Sequence, residues 1–224
     1  MRIEDLMRLI CMLVVVGVCG AAWAQEKAVV AKPAIVSAEE WGSKPLGIDA
    51  SRKQVPKFIT IHHAGVVFKA GTDPAKSVRE LQAWGQKEKH WPDLPYHFLI
   101  APDGRIFAGR PVEYEPETNT TYKTRGHIGV ELMGNFEEQR PSREQLESVV
   151  KLTAWLAQEY KIDLKDIGGH KDRAETQCPG KDFYRYFQDG QLMGWVKGVM
   201  EGKAVKIEPG PALAGGPTEE IPKK

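Results

Sequence analysis

Short β-branched runs alternate with long helical-period stretches over most of this chain, and that alternation leaves few folds open. Phe58-Ile59-Thr60-Ile61 is β-branched and apolar, the composition of a buried strand. Asp73-Pro74 offers an N-cap and a first-turn proline for a helix through about Lys89, with Val78, Leu81 and Trp84 on one face. Tyr96 to Ile100 and Arg105 to Ala108 flank the turn signal Pro102-Asp103-Gly104 and predict a β-hairpin. Ile128 to Met133 reads as a further strand. Ser142 and Gln145 form a capping-box pattern ahead of Leu146, Val149, Val150, Thr153, Leu156, Ala157 and Tyr160, which share one face of a long helix. A last helical stretch is expected from about Asp182 to Met200. Strands separated by helices, with one hairpin among them, predict an α/β fold: a central mixed β-sheet flanked by helices on both faces.

The two ends differ from this middle. Leu9 to Val18 is apolar but too short to span a bilayer comfortably, and Ala22-Trp23-Ala24 fits the small-x-small cleavage rule. Residues 1–24 therefore read as a signal peptide, which implies an exported protein, periplasmic or extracellular, with no stable membrane insertion after cleavage. Cleavage would remove Cys11 and Cys19 and leave Cys178 alone, so no internal disulfide is expected. Residues 25–34 read as a leader or linker, 35–202 as one domain, and the Pro/Gly-rich 203–224 as a disordered tail. A formal net charge of +1 gives no basic field of the kind that nucleic acid requires.

A lone thiol in an oxidising compartment is a liability unless something occupies it. His170 stands eight positions before Cys178, and the pair His62-His63 closes the first strand. Two imidazoles and one thiolate suit zinc with a fourth position open, the pattern of catalytic rather than structural zinc. Strand alternation sends His62 and His63 to opposite faces, so only one of them points easily into a given site. Taken singly, each residue has a plainer reading: a satisfied polar strand end, or a cysteine that merely packs.

The segments Ile61-His62-His63-Ala64-Gly65, Leu94-Pro95-Tyr96-His97-Phe98-Leu99-Ile100, Ile128-Gly129-Val130-Glu131-Leu132-Met133-Gly134, Gly169-His170-Lys171-Asp172 and Thr176-Gln177-Cys178-Pro179-Gly180 resemble, in order and spacing, the zinc-dependent N-acetylmuramoyl-L-alanine amidase family. That family includes phage lysozyme-amidases and peptidoglycan recognition proteins; the likeness covers about residues 35–188. It implies a zinc site at one end of the sheet, with His62, His170 and Cys178 as Zn2+ ligands and His63 at the adjacent non-ligand place. By position, Tyr96 matches a tyrosine that supports catalysis, Thr176 a lysine or threonine that polarises the substrate carbonyl, and Glu131 a glutamate that activates water. The implied partner is peptidoglycan or its muropeptides. Rival readings are a module that binds peptidoglycan without cutting it and a zinc peptidase acting on the stem peptide. The resemblance also implies that non-catalytic relatives lose the cysteine, which this chain keeps. Two stretches depart from the family pattern: Tyr114 to Lys123, and Thr124-Arg125-Gly126-His127, where His127 is either a substrate contact or a polar loop residue. Trp84, Trp91 and Phe98 would line a glycan groove or fill the core.

Overall fold

A computed structural model describes residues 28–223; the signal-peptide reading of residues 1–24 and the first part of the leader lie outside them. Six strands form one mixed sheet: β1 (Ile35–Val36), β2 (Phe58–His63), β3 (Phe98–Ile100), β4 (Ile106–Ala108), β5 (His127–Leu132) and β6 (Ile167–Gly169), in the spatial order β1-β4-β3-β5-β2-β6. The β3–β4 hairpin is antiparallel, whereas β2 runs parallel to both β5 and β6. Among the described residues five helices accompany them: α1 (Ala38–Trp41), α2 (Pro74–Glu88), α3 (Arg143–Glu159), α4 (Lys181–Gln188) and α5 (Gln191–Met200). No helix among the described residues is long and apolar enough to cross a membrane.

Both long helices start where their caps place them. Asp73 accepts from the backbone N–H groups of Ala75 and Lys76, and Ser142 and Gln145 complete a reciprocal capping box. The Gln145 side chain also donates to the carbonyls of Ile100 and Met133, which pins the start of α3 to the ends of β3 and β5. On that side of the sheet Phe98 meets Trp155 of α3 edge-on. Ile59 and Ile61 of β2 pair with Ile128 and Val130 of β5, and all four are fully buried.

The alternate residues face the other way. Leu99 and Glu131 share a cavity of about 610 Å³ with Val78, Leu81 and Trp84 of α2, so α2 and α3 cover opposite faces. This second face is polar: Thr60 and His62 project from β2 beside His127 and Glu131 of β5. His127 bonds Thr60 Oγ1 through Nδ1 at 2.7 Å and stacks on Phe58, so it is a buried structural histidine in β5 rather than a loop residue. His97 is tied down at both ring nitrogens. Nδ1 accepts from the Gly129 N–H, leaving Nε2 to donate to the Tyr114 carbonyl.

Two expectations from sequence need correction. The last helical stretch is two helices, because Gly190 adopts a left-handed backbone (φ +75°) that stops the helix and folds α5 back on α4. Trp195 of α5 then packs against Tyr186 of α4. The Pro/Gly-rich tail is laid along the domain rather than disordered. Ile207 and Ile221 are buried, and the backbone of Arg140 pairs with that of Glu219 and Ile221. The buried Asp182 carboxylate lies 3.8 Å from Arg140 and 3.6 Å from Arg185. Those two arginines in turn donate to the carbonyls of Gly210 and Pro211. Proline and glycine forbid regular structure there, but their carbonyls accept what the arginines offer. At the other end, Gln158 of α3 binds the backbone of Ala28 and Val30.

A packed tail and a disordered one differ measurably. Ile221→Ala should cost ~2 kcal/mol or more in urea unfolding, and an unchanged midpoint would indicate that the tail does not pack. The buried histidines set an acid limit. Burial holds His97 and His127 down at about 4, whereas an unfolded imidazole takes its proton near 6.5. Between these values the unfolded chain binds more protons, so stability is full above pH 6.5 and falls as the pH drops toward 4. Thermal melts of chelator-treated protein should show Tm falling across that window, by up to ~3 kcal/mol of stability per imidazole; His127→Gln should flatten the slope.

Candidate metal centre

Three parallel strands end at one place. His62 is the fifth residue of β2, Glu131 the fifth of β5, and His170 follows β6 directly. Ligand-binding groups of α/β sheets gather at such carboxyl ends. Parallel pairing sets His62 opposite Glu131, and Ile61 opposite Gly169, the residue before His170. A short 3-10 turn, His170–Asp172, carries the second histidine; Asp172 fastens it by accepting from the Gly169 N–H at 2.7 Å.

The cysteine arrives on a loop that is tied to this turn. The Lys171 N–H donates to the Cys178 carbonyl at 2.9 Å. Gly180 has φ +85°, and a Cβ there would stand 2.6 Å from the Phe136 backbone and 2.9 Å from His63 Nδ1. Only glycine lets the loop come this close. Cys178 Sγ accepts from the His63 N–H at 3.3 Å.

His62, His170 and Cys178 bring one donor atom each to within 4.8 Å of one another. Cys178 Sγ and His62 Nδ1 are 3.7 Å apart, close to the roughly 3.5 Å that separates sulfur and nitrogen donors in a tetrahedral zinc site. His63 stays outside the cluster: its Nδ1 accepts from the Phe136 N–H. Electrostatics fits the same occupant. Burial holds His170 down at about 4 and His62 well below the ordinary imidazole value, so both rings are neutral and keep a lone pair for a metal. Burial pushes the Cys178 thiol up to about 12, so a thiolate here requires a cation beside it.

The other three residues expected from sequence stand close by. Glu131 is 3% exposed and lines the cavity; burial raises its carboxyl to about 8. Its charge raises both the Cys178 thiol and the Tyr96 phenol, so it lies near both. Tyr96 lines the same cavity with its ring centroid 5.0 Å from that of His62. Thr176 sits on the cysteine loop, where its hydroxyl accepts from the Cys178 N–H at 3.2 Å.

Trp84 and Trp91 meet edge-on in the cavity wall, whereas Phe98 is core, so the three aromatics divide between the two readings. The segment that departs from the family pattern brings two neighbours that sequence did not single out. Thr120 Oγ1 lies 2.6 Å from His170 Nε2, and the Tyr122 ring centroid lies 5.4 Å from that of His170. The polar run Thr118-Asn119-Thr120-Thr121, three of its residues bearing hydroxyls, was the hint of them in the sequence.

Known proteins share this fold. Residues 52–181 match the family described as N-acetylmuramoyl-L-alanine amidase. Peptidoglycan-recognition protein SD of Drosophila simulans is 28% identical over 165 residues, covering 69% of this chain and 84% of that protein. N-acetylmuramoyl-L-alanine amidase LysC of Clostridium intestinale superposes with a TM-score of 0.58 at 27% identity, over 72% of this chain and 99% of the other. A mutant of Drosophila PGRP-LB, solved in complex with tracheal cytotoxin, gives a TM-score of 0.60 at 26% identity, over 69% and 92%. With more than half of its length matched by the family and the fold shared, the chain belongs to the N-acetylmuramoyl-L-alanine amidase family.

Proposed function

We propose that this protein is an exported, zinc-dependent amidase that hydrolyses the bond between N-acetylmuramic acid and L-alanine in peptidoglycan or its fragments. The observation that carries this reading is the His62-His170-Cys178 donor set standing beside a buried carboxyl, Glu131, which pairs in register with His62 and lines an aromatic-walled cavity. When bound at those donors, zinc supplies Lewis-acid polarisation of the scissile carbonyl and lowers the pKa of a water toward ~7. The signal-peptide reading of residues 1–24 supports export.

The protein groups divide the remaining work. Glu131 takes the proton of the attacking water and returns it to the leaving nitrogen, so that an acid and an amine separate. Burial raises its carboxyl, and a cation at the three donors would shift it back toward the carboxylate that a base requires. The Thr176 hydroxyl accepts from Cys178 through a lone pair and keeps its own proton to donate to the carbonyl oxygen as charge develops there. Burial raises the pKa of the Tyr96 phenol, so it too keeps a proton to donate at neutral pH. Trp84 and Trp91 offer flat apolar faces to the sugar or the stem.

Digestion of purified muropeptides with zinc-loaded protein, read by mass spectrometry, tests the assignment. Intact stem peptides freed from the sugar are expected. Cuts within the stem would make it a peptidase, and verified holo-protein that binds without cutting would make it a recognition module. Glu131→Gln should lower turnover by ~10²-fold or more, and a near-parental rate would remove Glu131 from this role. For the ligand set, Cys178→Ser should lose both activity and bound metal when zinc is counted after gel filtration. Stoichiometric zinc in that variant would overturn the assignment.

A further inference from the structure

We propose that Thr120 is the positioning residue of the metal centre: it holds the His170 imidazole in the Nε2–H form and so presents Nδ1 to the cluster. The inference rests on the metal reading proposed above. Thr120 Oγ1 lies 2.6 Å from His170 Nε2, which engages that nitrogen and leaves Nδ1 as the one available to a metal. A neutral imidazole carries one proton, so a metal on Nδ1 requires the proton on Nε2, where Thr120 is placed to accept it. Thr120 then has its own hydroxyl proton to pass on, and Thr118 Oγ1 stands 2.9 Å away to receive it. Thr118 also accepts from the Thr120 backbone N–H, which fixes where the Thr120 side chain starts. Tyr122 packs beside the same ring.

This loop begins at a rigid base. Arg110 is fully buried and donates to the carbonyls of Leu94 and Glu115, and it pairs with Glu117 at 3.3 Å. The Glu117 N–H donates to the Pro95 carbonyl, so the loop springs from the backbone next to Tyr96. Outer partners of this kind orient a metal-binding histidine and raise its basicity. A loop that departs from the family pattern thus bonds directly to a ligand ring.

The test is Thr120→Val, which keeps the shape and removes the hydroxyl, beside Thr120→Ser, which keeps the hydroxyl. Zinc competition with a chromophoric chelator should show ~10–100-fold weaker affinity in the valine variant and near-parental affinity in the serine variant. The thermal stability of the zinc-free chains should remain alike. Nitrogen-15 NMR of the histidine rings supplies a readout that needs no metal. The zinc-free parent should show the His170 Nε2–H form with slowed proton exchange, and the valine variant should lose that protection. Parental zinc affinity together with an unaltered His170 spectrum in Thr120→Val would overturn the proposal. If the parent itself binds no zinc, the metal reading falls, and the tautomer measurement still decides whether Thr120 governs His170.

Discussion

Parallel pairing of β2 with β5 and β6 is the constraint on which the site depends. Parallel strands point the same way, so their carboxyl ends collect at one edge. Register then decides what meets there. His62 lies opposite Glu131, and Ile61 lies opposite the glycine that leads into His170. A slip of one residue in β5 would turn Glu131 into the α3 side and bring Leu132 or Val130 to the cavity. The apolar alternation of Ile59 and Ile61 against Ile128 and Val130 blocks that slip, because it would expose the core side chains. The packing on one face of the sheet therefore sets the chemistry on the other.

That chemistry is electrostatically expensive without an occupant. A thiol pushed up to about 12 and a carboxyl raised to about 8 both sit where burial penalises negative charge. Two nearby imidazoles are kept neutral by the same burial. One cation would reverse each of these penalties at once: it would ionise the thiol, accept the imidazole lone pairs and favour the carboxylate. On the proposed function, metal binding and the protonation states needed for hydrolysis would be one linked equilibrium.

How much of this was legible in the sequence depended on the range of the interactions involved. Asp73, Ser142 and Gln145 announced α2 and α3 because capping bonds act within a few residues. The β-branched runs announced β2 and β5, and the resemblance to the amidase family pointed to His62, Glu131, His170 and Cys178. The tail was hidden, because its order comes from Arg140 and Arg185 reaching carbonyls far along the chain, whereas composition registers only its prolines and glycines. Thr120 was hidden for the same reason: its partner lies 50 residues away, and an isolated threonine in a loop carries no periodicity. Trp84 shows a subtler limit. Helical spacing put it on one face with Val78, but exposure rises along that face from 0% at Val78 to 41% at Trp84. Periodicity gives a direction around a helix and is silent about how far the neighbouring layer extends.

The centre joins two kinds of support with different tolerances. His62 and Glu131 are held by neighbouring strands, whose separation of about 4.8 Å is fixed by backbone hydrogen bonding. Side-chain changes elsewhere hardly alter that spacing. His170 and Cys178 are held by loops, through the Asp172 fastening, the Lys171–Cys178 bond, the close approach at Gly180 and the Thr120 contact. The contacts at Asp172, Gly180 and Thr120 each depend on one residue's side chain or its absence, so one substitution can remove them. A substitution in these loops would therefore shift His170 or Cys178, while the strand-held His62 and Glu131 stay in place. The segment from Tyr114 to Lys123 fits that division, since it departs from the family pattern where it touches His170 and leaves His62 and Glu131 in register.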